Sequence, residues 1–314
     1  MMIFNSLYIA GKSNIYTVDD DGSHLRCLTS RYNMQRYQRL SISPRRDRLL
    51  FYACLPRQDT FRFFFLELGS DKLNVYEQEP YPYDMRWLTN DRLLCFRKEK
   101  RWIAGFENSI LSDLDFCEGY LMMDIAPDGN RMLLKKGPGV GGNIYVGDID
   151  RRQIQEIFHA EYKQATAAIL YPSSWSPDGK MIACVGGYED EIWLINADGS
   201  DPQKVADSDF YWWEFQWSPD SKEIAYARSS DGKGHEAERA GVFVKDLQDR
   251  KEKQVLELGR GEIWRCTNDG QSIVYTKSNE DSISLLSVNI HTGIATELIG
   301  SSAGIKNIAD LIVV

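Results

Sequence analysis

Seven charged or amide side chains stand one or three residues ahead of a short phrase that recurs along the chain: Arg39, Asp84, Arg86, Asp124, Glu214, Gln216 and Arg265. Residues two apart on a strand share a face, so each pair would project together. Carboxylates such as Glu214, Asp84 and Asp124, set across a channel with split pKa values, could act as acid and base on a saccharide, with Arg39, Arg86 or Arg265 holding a uronate. The same charges could instead pair between neighbouring elements, as Arg86 with Asp124, and simply hold the molecule together. Aromatic residues gather at the same end of the repeat, among them Tyr81, Tyr83 and Tyr120. The run Phe210–Trp217 cannot bury every ring on one alternating face. Tyr211 and Trp213 therefore join the seven as candidate ligand contacts, suited to a sugar ring or a peptide side chain. No nucleophile, base and orienting group assemble, so no catalytic residue is assigned.

What must position these side chains is the phrase itself. It reads Ile42-Ser43-Pro44, Trp87-Leu88-Thr89-Asn90-Asp91, Ile125-Ala126-Pro127-Asp128-Gly129, Trp175-Ser176-Pro177-Asp178-Gly179, Trp217-Ser218-Pro219-Asp220-Ser221 and Cys266-Thr267-Asn268-Asp269-Gly270. An apolar run follows each copy, such as Leu49-Leu50-Phe51 or Ile182-Ala183-Cys184. The lead residues (42, 87, 125, 175, 217, 266) are spaced as propeller or solenoid repeats are. Residues 211–256 give one unit: a strand to Trp217, a turn set by Pro219 and Asp220, a strand over 222–227, a third over 241–247 and a fourth over 253–256. A four-stranded antiparallel unit repeated radially is a propeller blade. Residues 7–29 match 182–205 as second, third and fourth strands without a first, and the tail 305–314 can supply it. The expectation is an all-β single domain over 1–314, a β-propeller of seven blades closed by the two terminal strands, or of six if the tail packs otherwise.

The phrases Trp175-Ser-Pro-Asp-Gly-Lys and Ile192-Trp-Leu-Ile-Asn-Ala-Asp-Gly-Ser resemble the repeat of TolB-type propellers. That repeat is similar to those in the propeller domains of prolyl oligopeptidases and dipeptidyl peptidases, in tricorn protease and in oligogalacturonate lyase. The resemblance implies the fold; activities differ across it. The peptidases need a separate α/β-hydrolase domain, for which no length is expected to remain. The one G-x-S-x-G match, Gly300–Gly304, has no helix to follow it as a nucleophile elbow requires. In the lyase family several histidines hold a metal near the channel. Here there are four, with His24 and His159 on or beside outer strands, His291 in an outer turn, and His235 in the loop 229–240. No metal and no cofactor are expected. TolB is exported and carries an extra N-terminal domain, neither of which is read in this chain.

Composition narrows the partners. A net charge of -9 disfavours nucleic acid, whose affinity rests on clustered Lys and Arg. No apolar run is long enough to span a bilayer, and Met1–Ser6 lacks a basic leader, so a soluble cytoplasmic protein, with no membrane insertion and monomeric, is expected. Six scattered cysteines read as core residues in a reducing compartment. The glycine-bearing loop 229–240 could act as a flap over the mouth, whereas 137–142, 11–13 and Asp19-Asp20-Asp21-Gly22 read as turns without phosphate or calcium spacing. The reading favoured is a non-catalytic binding propeller offering its channel mouth to a peptide, a protein loop or an oligosaccharide. A carbohydrate-active enzyme, an oligouronide lyase or glycosidase, is the alternative.

Overall fold

The recurring phrase folds as a hydrogen-bonded turn, and its residue types explain why. Ser176 Oγ donates to Asp178 Oδ1 (2.7 Å) and accepts from the Met181 N–H (2.9 Å), while Asp178 Oδ1 accepts from Lys180 N–H (3.1 Å). Gly179 then takes a left-handed φ of 69°, which only glycine adopts without strain. Ser218 and Asp220 repeat the pattern, as do Thr267 and Asp269. The turn thus reverses the chain and starts the next strand with most of its polar groups satisfied.

The structure is a computed structural model that describes residues 1–8, 13–32, 34–55, 60–77, 80–98, 100–106, 109–136, 143–159, 173–186, 191–206, 210–229, 238–259, 261–279, 282–300, 303 and 305–313. Among these it contains seven four-stranded antiparallel sheets, the blades of a seven-bladed β-propeller. Blade 1 orders β28 (Ile305–Val313), β1 (Met2–Tyr8), β2 (Ser13–Val18) and β3 (Arg26–Cys27). Blade 2 runs β4 (Gln35–Ile42), β5 (Arg48–Cys54), β6 (Phe61–Glu67), β7 (Leu73–Val75), and blade 3 runs β8 (Asp84–Trp87), β9 (Arg92–Arg97), β10 (Lys100–Gly105), β11 (Ile110–Asp113). Blade 4 comprises β12 (Tyr120–Ile125), β13 (Arg131–Lys136), β14 (Ile144–Asp148) and β15 (Gln153–Phe158). Blade 5 comprises β16 (Ser173–Trp175), β17 (Met181–Gly186), β18 (Glu191–Asn196) and β19 (Gln203–Ala206). Blade 6 has β20 (Phe210–Trp217), β21 (Glu223–Ser229), β22 (Arg239–Asp246), β23 (Glu252–Gly259), and blade 7 has β24 (Trp264–Cys266), β25 (Ser272–Ser278), β26 (Ile283–Asn289), β27 (Ala295–Ile299). Two 3₁₀ turns, Ser30–Tyr32 and Asp115–Cys117, are the described helical segments.

The expected closure is observed: β28 pairs antiparallel with β1 from Met2↔Val313 to Tyr8↔Ile305. Blade 1's second strand begins at Met2, five residues earlier than the repeat comparison placed it.

The chain divides into two compact units, one of residues 1–97, 104–111 and 261–314, the other of 98–103 and 112–260. In the first, Ile305, Ile308 and Leu311 of β28 pack with Val274 and Leu285 of blade 7, and Ile3 and Ile15 of blade 1 pack with Leu49 and Phe51 of blade 2. Arg48 lays its guanidinium 4.1 Å from the Phe106 ring centroid and donates to Asn90 O (3.0 Å), clipping blade 2 to blade 3. Gly22 (φ 83°) lies so close to β27 that a Cβ there would meet Leu298 O at 2.6 Å.

In the second unit the same devices recur. Arg131, at the repeat position of Arg48, stacks 4.6 Å from Trp175 and donates to Gly179 O (3.2 Å). Gly199 (φ 88°) abuts β15, where a Cβ would meet Ile157 O at 2.6 Å. The Asp178 N–H donates to Ser221 Oγ (3.0 Å), joining blade 5 to blade 6. All six cysteines carry free thiols, four of them buried, and burial pushes Cys95 and Cys184 up to about 12.

Candidate functional site

In the first unit, the start of β8 presents two of the expected residues on one face. Asp84 and Arg86 are half-buried while Met85 and Trp87 point inward, the alternation a strand imposes. Pairing sets Asp84 opposite Phe96 and Arg86 opposite Leu94 of β9. In blade 2, β4 pairs irregularly with β5, with shifts between Gln35 and Gln38 and between Gln38 and Ser41. Arg39 sits in the second bulge with a left-handed φ of 55°, a conformation that costs any residue with a Cβ.

The bulge delivers Arg39 to Asp84. Its Nη1 donates to Asp84 Oδ1 (2.7 Å) and to Tyr83 O (3.0 Å). Oδ1 also accepts the Met85 N–H (3.0 Å), and the second oxygen, Oδ2, lies 3.6 Å from Arg86 Nε. The carboxylate is therefore held between two guanidinium groups and a backbone amide. Rings flank the arginines: Tyr52 is 6.0 Å from Arg39, Phe96 is 5.9 Å from Arg86, and Tyr83 is 5.6 Å from Arg97. Tyr83 is 54 % exposed, an apolar plate beside charges.

The floor below is aromatic. Tyr52 stacks on Phe61 (4.9 Å between centroids) and meets Phe63 at 4.6 Å, and Tyr81 lies 6.2 Å from Phe63. Burial raises the Tyr52 hydroxyl, against the pull of the Arg39 charge, and burial pushes Tyr81 up to about 12 although the Phe63 N–H donates to its oxygen. Both phenols are neutral near pH 7 and cannot serve as bases. Arg39 and Arg86 bring two guanidinium groups to one carboxylate, a chemistry that suits a carboxylate-bearing ligand. The Arg39 side chain is 52 % exposed and that of Asp84 32 %, so their ion pair contributes about 0–1 kcal/mol and an incoming carboxylate can displace it.

The remaining expected residues belong to other strands. Arg265, also in the first unit, donates from Nη1 to Trp264 O (2.7 Å). In the second unit, Asp124 accepts the Ile125 N–H on Oδ1 (2.8 Å) and the Trp175 N–H on Oδ2 (2.9 Å), so it ties the inner strand of blade 4 to that of blade 5. Gln216 is half-buried on β20 opposite Ala225. Tyr211, Trp213 and Glu214 belong to β20, but their side chains lie outside the described residues, as do Tyr171, most of the loop 229–240 and the segment 137–142. His24 pairs with Asp19 (2.9 Å) on the exposed β2–β3 hairpin, His159 is exposed just after β15, and His291 is exposed in the β26–β27 turn. His235 lies outside the described residues. Among the described residues no group of three or more His, Cys, Asp or Glu is placed to hold a metal.

Sequence reasoning missed Tyr52, Phe96 and Arg97. Their signal is positional: each stands near the end of a second strand, where antiparallel pairing brings it to the start of the first.

The class of protein is thus a seven-bladed β-propeller with an arginine- and aromatic-rich surface on the inner strands of blades 2 and 3. No protein-family model and no curated protein matches the chain by sequence. Solved structures match it by fold. TolB from Acinetobacter baumannii superimposes with a TM-score of 0.59 at 13% identity, covering 99% of this chain and 65% of TolB. An oligogalacturonate lyase in complex with manganese gives 0.65 at 13% identity, covering 94% and 83% of the two chains. The oligogalacturonate lyase of Vibrio parahaemolyticus gives 0.64 at 12%, covering 90% and 84%. The chain has the fold of the TolB-type propellers and spans about 65% of the length of that TolB.

Proposed function

We propose that the protein is a non-catalytic binding propeller, and that the inner strands of blades 2 and 3 take a peptide or protein loop presenting a carboxylate. The observation that carries this is the placement of Asp84. Both its oxygens face guanidinium groups, so it acts as an internal stand-in for a ligand carboxylate rather than as an acid or base open to substrate. The pair is exposed enough to open, and Tyr83 offers a ring to the side chain that follows.

The test is calorimetric titration with glutamate-rich peptides, matched glutamine-rich controls and oligogalacturonides. Acidic peptides should bind with an affinity that falls as salt rises. Arg39→Ala with Arg86→Ala should weaken binding at least about tenfold, since each hydrogen bond to a charged group is worth about 1.5–3 kcal/mol. Asp84→Asn should strengthen it, because the competing carboxylate is gone. Weaker binding in Asp84→Asn would overturn the stand-in role. Release of unsaturated uronide absorbance from the oligogalacturonides, lost in the same variant, would replace the binding reading with a lyase.

A further inference from the structure

Two departures from the repeated turn, at Arg46 and at Asn268, face one cleft. The fourth position after the lead residue takes a left-handed φ in five turns, 60–69°, and is glycine in three of them: Gly129, Gly179 and Gly270. The two exceptions are Ser221 and Arg46. A side chain at this φ is unfavourable, so each exception calls for a compensating role. Ser221 has one, since its Oγ accepts the Asp178 N–H of the preceding blade. The Arg46 guanidinium makes no hydrogen bond or ion pair with any described residue. The second break is Asn268, which stands where four other turns carry Pro44, Pro127, Pro177 and Pro219. Its Nδ2 is buried and has no hydrogen-bond partner. A buried donor left unmade is costly and rare.

Arg46 and Asn268 line the same cleft of about 370 Å³, in the first unit, together with Asp20, Thr267, Asp269 and Ser287. Its location follows from the topology. In blades 2 to 7 a turn joins the first strand to the second, whereas in blade 1 those strands are β28 and β1. The cleft opens there, with Met2 as part of its wall, between the turns of blades 7 and 2. Its unused hydrogen-bonding capacity is asymmetric. The donors without a partner among the described residues are a guanidinium and an amide, which suit a carboxylate. The aspartates beside them are already anionic partners: Asp20 Oδ1 accepts from the Met1 ammonium (2.7 Å), and Asp269 Oδ1 accepts from Thr267 Oγ1 (2.6 Å) and the Gln271 N–H (2.9 Å). Each keeps a second oxygen for a cation.

We infer that this cleft is a second ligand site, separate from the surface on β4 and β8, and that it takes a small zwitterion of the α-amino-acid class. The ligand carboxylate sits on Arg46 and Asn268 Nδ2, and the ammonium faces Asp269 and Asp20. Hydrogen bonding to the orphaned amide and guanidinium supplies what the turn sacrificed by replacing proline and glycine.

Thermal shift with the twenty common L-amino acids at millimolar concentration tests this, with acetate and ethylamine as single-charge controls. At least one amino acid should raise the melting temperature by about 2 °C through binding linkage, and neither control should match it. Arg46→Gly restores the residue that three sister turns carry, so it should fold as well as the wild type and yet lose the shift. Asn268→Pro should lose it likewise. Arg39→Ala with Arg86→Ala should keep it, which separates this site from the one proposed above. No shift with any amino acid, an undiminished shift in Arg46→Gly, or an equal shift with acetate alone would each overturn the assignment.

Discussion

At the residue scale, side chains and glycines that look alike in the repeat do different work because of what lies beyond the blade. Gly22, Gly199 and Gly293 all occupy hairpin turns with left-handed φ, at 83°, 88° and 74°. A Cβ on Gly293 would meet nothing within 4 Å, while one on Gly22 or Gly199 would drive into a neighbouring blade's carbonyl at 2.6 Å. Gly293→Ala should therefore cost only the backbone term, about 1–2 kcal/mol. Gly22→Ala and Gly199→Ala should cost that plus displacement of an outer strand, about 3 kcal/mol or more by urea denaturation. Equal losses at the three positions would remove the inter-blade contact as their reason. Asp124 makes the same point for a charge. Its oxygens serve two backbone amides, so Asp124→Ala should cost about 2–3 kcal/mol and speed hydrogen exchange at the Trp175 amide. Unchanged exchange there would show that β16 does not depend on the strut.

At the element scale, the strand that closes blade 1 carries its weight through one face, whose buried residues two register shifts set three apart. Ile305, Ile308 and Leu311 are buried with blade 7, whereas Glu297 on the outer strand β27 is exposed. Leu311→Ala should cost about 2–5 kcal/mol, and Glu297→Ala should fall within about 0.5 kcal/mol. A Leu311→Ala variant with a wild-type denaturation midpoint would mean that β28 is not a working part of blade 1. The strands and their order were readable from the sequence because five blades share a turn with Asp and a left-handed residue, four of them with Ser or Thr as well, flanked by short apolar runs. Closure by residues 305–313 was readable for the same reason, since 7–29 lacked a first strand. The site was readable only in part. Asp84 and Arg86 share a face because of strand alternation, which a sequence displays. The bulge that turns Arg39 onto Asp84 depends on register between β4 and β5, which it does not display. The strut role of Asp124 depends on where the next blade's amide falls, again a relation between elements.

At the scale of the whole molecule, the repeated turns make one chemical feature recur, and its sum should govern the acid limit of stability. Asp47, Asp220 and Asp269 are held below the usual carboxylate range chiefly by hydroxyl hydrogen bonds, from Ser43, Ser218 and Thr267. For Asp128 and Asp178 burial pushes the other way but is outweighed, by backbone N–H donors with Arg131 for the first and by Ser176 with the Lys180 amide for the second. All five shifts have the same sign. A folded pKa below the unfolded value of about 3.9 means that the unfolded chain binds more protons between the two, so stability rises with pH there. The contribution is complete above the unfolded pKa and is lost as pH falls through the depressed folded values. The melting temperature should hold nearly level from pH 7 to about 5 and then fall steeply towards pH 3. Ser176→Ala with Ser218→Ala removes the hydroxyl donors from two turns, raising the folded pKa of Asp178 and Asp220 towards the unfolded value. That variant should be less stable than the wild type at pH 7, and the gap should narrow as both are acidified. Parallel curves down to pH 3 would mean that the hydroxyls bond equally well to protonated aspartate, and the acid limit would then have to come from charges outside the turns.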